Sequence, residues 1–113
     1  MSTHGIIYVI QNELHPANLY KIGYTTKSIN ERLRELNRET SNPGEFKVYG
    51  CYPVSNVKAA EKLCHQTLEQ LGYRRKKEFF RGPLDRILAE VEKITGRVDG
   101  SLTASRPPQS RTC

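Results

Sequence analysis

Gly5-Ile6-Ile7-Tyr8-Val9-Ile10 and Leu19-Tyr20-Lys21-Ile22-Gly23-Tyr24-Thr25 are the two stretches on which the fold turns. Both are dense in β-branched and aromatic residues, and Asn12, Pro16 and Asn18 lie between them. That combination predicts two paired strands joined by a loose turn. Side chains alternate across a strand. Ile6, Tyr8 and Ile10 therefore share one face, Ile7 and Val9 the other, and Tyr20, Ile22 and Tyr24 share a face of the second strand. A tyrosine in mid-strand among isoleucines packs its ring, and its hydroxyl then needs a hydrogen-bond partner or a chemical task.

Downstream of this pair, Ser28 and Glu31 form an S-x-x-E pattern, in which each side chain reaches an orphan backbone N–H of a helix's first turn. Ile29, Leu33 and Leu36 follow at helical spacing. Arg32 lies on or beside that stripe, whereas Arg34 and Arg38 point to water. A guanidinium next to a core-facing stripe is costly unless an anion or hydrogen bonds compensate it, or unless its stem merely covers apolar surface. Ser41-Asn42-Pro43-Gly44 marks a turn. Phe46 to Val54 reads as a third strand with Phe46, Val48, Tyr52 and Val54 on one face, and Pro53 marks an edge or an end.

Ser55 or Asn56 caps a second helix running to about Leu71, with Gly72 as its terminator. Val57, Ala60, Cys64, Leu68 and Leu71 make its stripe, and Glu61 falls within it. A carboxylate in that position must be paired, protonated or bound to a cation. His65, four residues on, can touch Glu61, but the pair lacks the spacing of a metal motif. Tyr73 to Lys77 is polar and basic, and Glu78-Phe79-Phe80 reads as a short strand or an aromatic anchor. Gly82-Pro83 opens a third helix, with Leu84, Ile87, Leu88, Val91 and Ile94 facing the core and Gly96 ending it. The expected fold is a small α/β domain over residues 1–96: a three-stranded, mainly antiparallel sheet flanked by helices in the order β-β-α-β-α-α. Residues 97–113 are rich in Ser, Thr, Arg and Pro and read as a disordered basic tail.

A chain of 113 residues suits one small core, and 36% apolar residues with no membrane-length run exclude a spanning segment. Met-Ser-Thr-His-Gly leads into no signal-peptide pattern. Cys51, Cys64 and Cys113 are odd in number and scattered, without metal spacing or a disulfide framework. A reducing, cytoplasmic setting is expected. Eighteen Lys and Arg against twelve Asp and Glu give a net charge of +6, compatible with a polyanionic partner. Part of the excess is local, in Arg74, Arg75, Lys76 and Lys77, with Arg81 and Arg86 close behind.

Over residues 5 to 94 the chain resembles the GIY-YIG nuclease domain. The first motif stands as Gly5-Ile6-Ile7-Tyr8, with one extra residue before the tyrosine. The second stands as Tyr20-Lys21-Ile22-Gly23-Tyr24-Thr25. The order Lys-Ile-Gly-Tyr-Thr, Arg-x-x-Glu-Leu-Asn, Glu-x-x-x-His and Glu-Phe-Phe is similar to a short branch of that superfamily common in phages and mobile elements. The chain departs from the pattern at one place: Lys21 occupies the tyrosine position of the second motif. Either Lys21 does that tyrosine's work, or Tyr24 or His65 does, or the activity has been lost; Tyr20 is adjacent but on the other face.

The resemblance implies a metal-dependent endonuclease acting on DNA, double-stranded above all. It places Tyr8 near the attacking water. A tyrosine ionises near ~10 unless a cation assists, and Lys21 on the paired strand is one candidate for that charge. Arg32 would hold a phosphate oxygen, and Glu61 would bind one Mg²⁺ or Mn²⁺. Two charges that look expensive singly thereby gain partners. Tyr20, Tyr24 and His65 are candidates for supporting roles. Arg74, Arg75, Lys76, Lys77 and Arg81 would contact the nucleic-acid backbone without reading sequence, and Glu78 is read as structural, paired with that basic run. The competing readings are a catalytically inactive nucleic-acid-binding module on the same fold, in which Arg32 and Glu61 pair with each other, and a protein-interaction adaptor.

Overall fold

A computed structural model describes residues 3–38 and 44–98. Its elements are β1 (Gly5–Asn12), β2 (Leu19–Thr25), α1 (Ile29–Arg38), β3 (Phe46–Val54), α2 (Val57–Gln70), β4 (Arg74–Lys76), β5 (Phe79–Arg81) and α3 (Leu84–Val98). The hairpin expected at the start is present. β1 and β2 pair antiparallel with Tyr8 opposite Gly23 and Ile10 opposite Lys21. Their turn is held from inside: the Gln11 side-chain amide donates to the carbonyls of Pro16 (3.0 Å) and Ala17 (2.8 Å).

Local capping matches the residues that signal it. Glu31 N–H donates to Ser28 Oγ at 3.1 Å and Ser28 N–H to Glu31 Oε1 at 3.3 Å, a reciprocal capping box. Asn56 caps α2 by accepting from Ala59 N–H at 3.4 Å. At the other end Gly72 adopts φ +86°, and Tyr73 N–H and Gly72 N–H return to the carbonyls of Leu68 (2.9 Å) and Glu69 (3.0 Å). That is a Schellman closure, and it needs a residue free to take a left-handed conformation. Leu71 falls just past the last helical turn and is 50% exposed, so it drops out of the expected stripe. α3 runs through Gly96 to Val98 instead of stopping at the glycine. Residues 99–113, the greater part of the expected tail, lie outside the described residues, as do Ser41, Asn42 and Pro43 of the expected turn.

The sheet has five strands, not three, in the order β3-β1-β2-β5-β4. The two additional strands come from residues 74–76 and 79–81. Each is too short to show a period in the sequence, and they form because β5 finds the free edge of β2, with Tyr20 opposite Phe80 and Lys21 opposite Phe79. Lys77, at φ 52°, turns the chain between them.

A second departure concerns β3. Gly50 pairs with Val9 but Val48 with Ile10, so Tyr49 is an extra residue bulged out of the ladder. The bulge reverses the alternation. Tyr52 and Val54 join Ile7, Val9, Tyr20, Ile22 and Phe80 in the core beneath α2 and α3. Phe46, Val48 and Cys51 instead join Tyr8, Ile10, Ile29 and Leu36 under α1. A strict period of two had placed Phe46, Val48, Tyr52 and Val54 together. The sheet is thus a middle layer with α2 and α3 on one face and α1 on part of the other.

Candidate active site

Tyr8 stands at the centre of β1 on the α1 face and is 1% exposed. Its cross-strand partner Gly23 leaves room for the ring: a Cβ built there would lie 2.7 Å from Tyr8 Oη and 2.9 Å from Cζ. The glycine of the second motif is therefore the seat of the tyrosine of the first. Gly23→Ala should displace the phenol and cost about 1–3 kcal/mol through overpacking. Urea denaturation would measure it, and an unchanged midpoint would mean the ring has room to spare.

α1 brings Arg32 over this ring. Arg32 Nε donates to Tyr8 Oη at 3.4 Å, and Nη1 donates to Glu35 Oε1 at 3.1 Å. Glu35 also pairs with Lys27, so one carboxylate ties two cations on the same side. Hydrogen bonds from Lys27 first, and from Arg32 second, hold the Glu35 carboxyl below the usual carboxylate range. α2 contributes Glu61 from the opposite side, and the turn before β5 contributes Glu78, whose carbonyl accepts from Ile22 N–H at 2.9 Å.

Together these side chains line one cleft of about 320 Å³: Tyr8, Arg32, Glu35, Glu61 and Glu78, with Tyr24, Thr25, Thr26 and Lys27 along the end of β2. Its electrostatics are divided. Burial pushes the Tyr8 phenol above its ordinary value; Arg32 opposes this, while Glu78 and Glu61 add to it. The phenol is accordingly protonated at neutral pH. The Glu61 carboxyl is also raised, by burial first and by the charge of Glu78, against an opposing contribution from His65.

Of the residues singled out in the sequence, Tyr8, Arg32, Glu61 and Tyr24 meet in the cleft. The others lie elsewhere. Lys21 sits beside the Phe46 ring, Nζ 6.0 Å from its centroid, and is not among the lining residues. Tyr20 is buried against Tyr49, edge-on at 5.7 Å, and its hydroxyl donates to the Ala17 carbonyl at 3.0 Å. His65 Nε2 lies 2.9 Å from the Ile22 carbonyl oxygen, a bond in which the imidazole donates, and its ring leans on Phe80. Lys76, Lys77 and Arg81 are exposed and are not among the lining residues, and the side chains of Arg74 and Arg75 lie outside the described residues.

Glu35, Glu78, Lys27, Thr25 and Thr26 are the cleft residues that sequence reasoning did not assign to the site. Glu35 had a signal, since it follows Arg32 by three on the same helix. Glu78 had none beyond its place before Phe79, and it faces the cleft where it had been read as structural. Two carboxylates in one partly buried cleft, with the charge of Glu78 acting against that of Glu61, suit a hard divalent cation, which takes one or two carboxylates and completes its shell with water and phosphate. No group of three or more His, Cys, Asp or Glu side chains among the described residues could hold a metal.

The fold and cleft define a small α/β domain with a tyrosine–arginine–carboxylate site on a mixed-charge cleft. The chain belongs to the T5orf172 domain family, whose model matches residues 5–95. That family is phage-associated and often linked to endonucleases. No curated protein and no solved structure matches it. No helix among the described residues is long and apolar enough to cross a membrane.

Proposed function

We propose that this domain is a metal-dependent endonuclease of the GIY-YIG type, hydrolysing phosphodiester bonds in DNA. The observation that carries the reading is the convergence of Tyr8, Arg32 and Glu61 on one cleft from β1, α1 and α2.

Hydrolysis adds water to phosphorus, breaks the bond to the leaving oxygen and removes a proton from the water. Arg32 is suited to hold a non-bridging phosphate oxygen, because Glu35 fixes its fork from behind. Glu61, with Glu78 beside it, is suited to hold Mg²⁺ or Mn²⁺. When bound, such an ion supplies positive charge against the phosphate and the leaving oxygen. Burial works against ionisation of the Tyr8 phenol, and Arg32, which donates a hydrogen bond to its oxygen, opposes that burial and favours the phenolate that can take the proton. Cleavage should therefore rise with pH above neutrality, and Tyr8→Phe should flatten that rise. Tyr24 lies in the same cleft as a second hydroxyl for the scissile group. The mechanism assigns no catalytic step to Lys21, Tyr20 or His65, and leaves Lys76, Lys77 and Arg81 to backbone contacts at a distance.

The test is incubation of supercoiled plasmid with the purified protein in Mg²⁺, in Mn²⁺ and in chelator, beside Arg32→Ala. Metal-dependent relaxation or linearisation is expected, falling by about 10²–10³-fold in the variant, the usual cost of one transition-state donor. The second reading, an inactive nucleic-acid-binding module, draws on Lys21 at the motif's tyrosine position. Absence of cleavage by the wild-type protein in every condition, with DNA binding intact, would decide for it.

A further inference from the structure

We infer that the part of the sheet beyond α1, formed by β2, β5 and β4, is a track for a single DNA strand leading out of the cleft. The inference rests on the nuclease reading only for where the strand is going.

Strand register sets which side chains lie together on this surface. Residues paired across a sheet share a face. Ile10 belongs to the cluster beneath α1, and Lys21 is its partner on β2. Lys21 in turn pairs with Phe79 on β5, and Phe79 with Lys76 on β4. Arg81 lies two residues beyond Phe79 and returns to the same face. The alternate residues Tyr20 and Phe80 are buried in the opposite core. Lys21, Phe79, Lys76 and Arg81 belong to neither core cluster; Lys76 and Arg81 are exposed, and Lys21 and Phe79 are half-buried.

This face therefore carries three cations around an aromatic ring, and none of the three forms an ion pair among the described residues. Phe79 is held edge-on by His15, ring centroids 5.3 Å apart, which fixes its orientation. Along β2 the same face continues from Lys21 to Gly23, the seat of the Tyr8 ring, and to Thr25, which lines the cleft, so track and cleft are continuous. Cations spaced about an accessible aromatic ring suit a strand whose phosphates meet the cations while an unpaired base stacks on the ring. A duplex, with its bases already stacked, would leave Phe79 unused. On this inference the lysine in the second motif grips phosphate and is not a displaced catalytic group.

The experiment is fluorescence anisotropy with a short single-stranded DNA oligonucleotide and with its duplex, over a salt series and in chelator. The proteins are wild type, the Lys21→Ala/Arg81→Ala double variant, Phe79→Leu, and a Lys58→Ala/Lys62→Ala control on exposed positions of α2, with folding of each checked by circular dichroism. The wild type is expected to bind the single strand more tightly than the duplex. The double variant should lose about tenfold or more in affinity and about 1.4 in salt slope, as for two lost phosphate contacts. Phe79→Leu should weaken the single strand about tenfold, as for one lost stack. Equal losses in the α2 control, wild-type affinity in both track variants, or duplex preference untouched by Phe79→Leu would each overturn the track. Because no cleavage is needed, unaltered binding by a cleaving protein sinks the track alone, and the expected binding losses in a non-cleaving protein sink the nuclease reading alone.

Discussion

Glu61→Gln is expected to reduce plasmid cleavage by at least about 10²–10³-fold and, at the same time, to raise the melting temperature at neutral pH. The two effects have one cause. Glu61 sits in the apolar stripe of α2 between Ala60 and Cys64 of the core, with Glu78 nearby, and its carboxyl is raised by burial and by that second charge. A carboxyl raised in the folded state binds its proton more tightly there than in the unfolded chain. Stability is then greatest below the unfolded value and is lost as pH rises through the folded one. As pH rises through the raised value the protein takes on that cost, and the glutamine removes it.

The measurement is a pair of thermal melts across pH with and without Mg²⁺. The wild type should lose stability from the ordinary carboxyl range up to the raised Glu61 value, and regain it when Mg²⁺ is added by binding to the folded state. The glutamine variant should show a shallower pH dependence and little response to Mg²⁺. A variant that melts lower than wild type at neutral pH would make Glu61 a structural counter-ion. A variant that cleaves normally would remove it from the site.

Phe80→Ala is the change with the largest expected effect on the fold itself. Phe80 is fully buried and is held on β5 opposite Tyr20, with His65 of α2 tilted on its ring at 5.1 Å. It joins the last strand pair to the helix that carries Glu61. Truncating a buried phenylalanine costs about 3–5 kcal/mol, against a total stability of about 5–15 kcal/mol for an ordinary domain. The variant should unfold at much lower urea than wild type, and Phe80→Leu should recover much of the loss. A shift worth less than about 1 kcal/mol would mean that β5 and β4 are dispensable trimmings on a three-stranded core.

β4 and β5 are the elements that the sequence conceals. Three residues do not make a period, and Phe79-Phe80 is compatible with a strand or an anchor. What makes them a strand is the open edge of β2, contributed by residues more than fifty positions earlier. The bulge at Tyr49 is of the same kind: nothing within Phe46–Val54 announces it, and it appears only when β3 is laid against β1. Glu78 enters the cleft as a consequence of the β2–β5 pairing, and Lys21 is kept out of it by its position opposite Ile10 and Phe79.

Features whose causes are local are legible in the amino-acid order alone. The β1–β2 hairpin, the Ser28–Glu31 box, the Asn56 cap and the left-handed stop at Gly72 each depend on a few neighbouring residues and their backbone preferences. That order also marks Arg32 and Glu61, because a charge placed on an apolar stripe has to be compensated somewhere. What compensates them emerges in the folded chain: Arg32 meets Tyr8 and Glu35, Glu61 shares a cleft with Glu78, and Gly23 makes room for the phenol. Those pairings are set by strand register and helix placement, which sum over contacts distant in the chain and leave no pattern in any one segment of it.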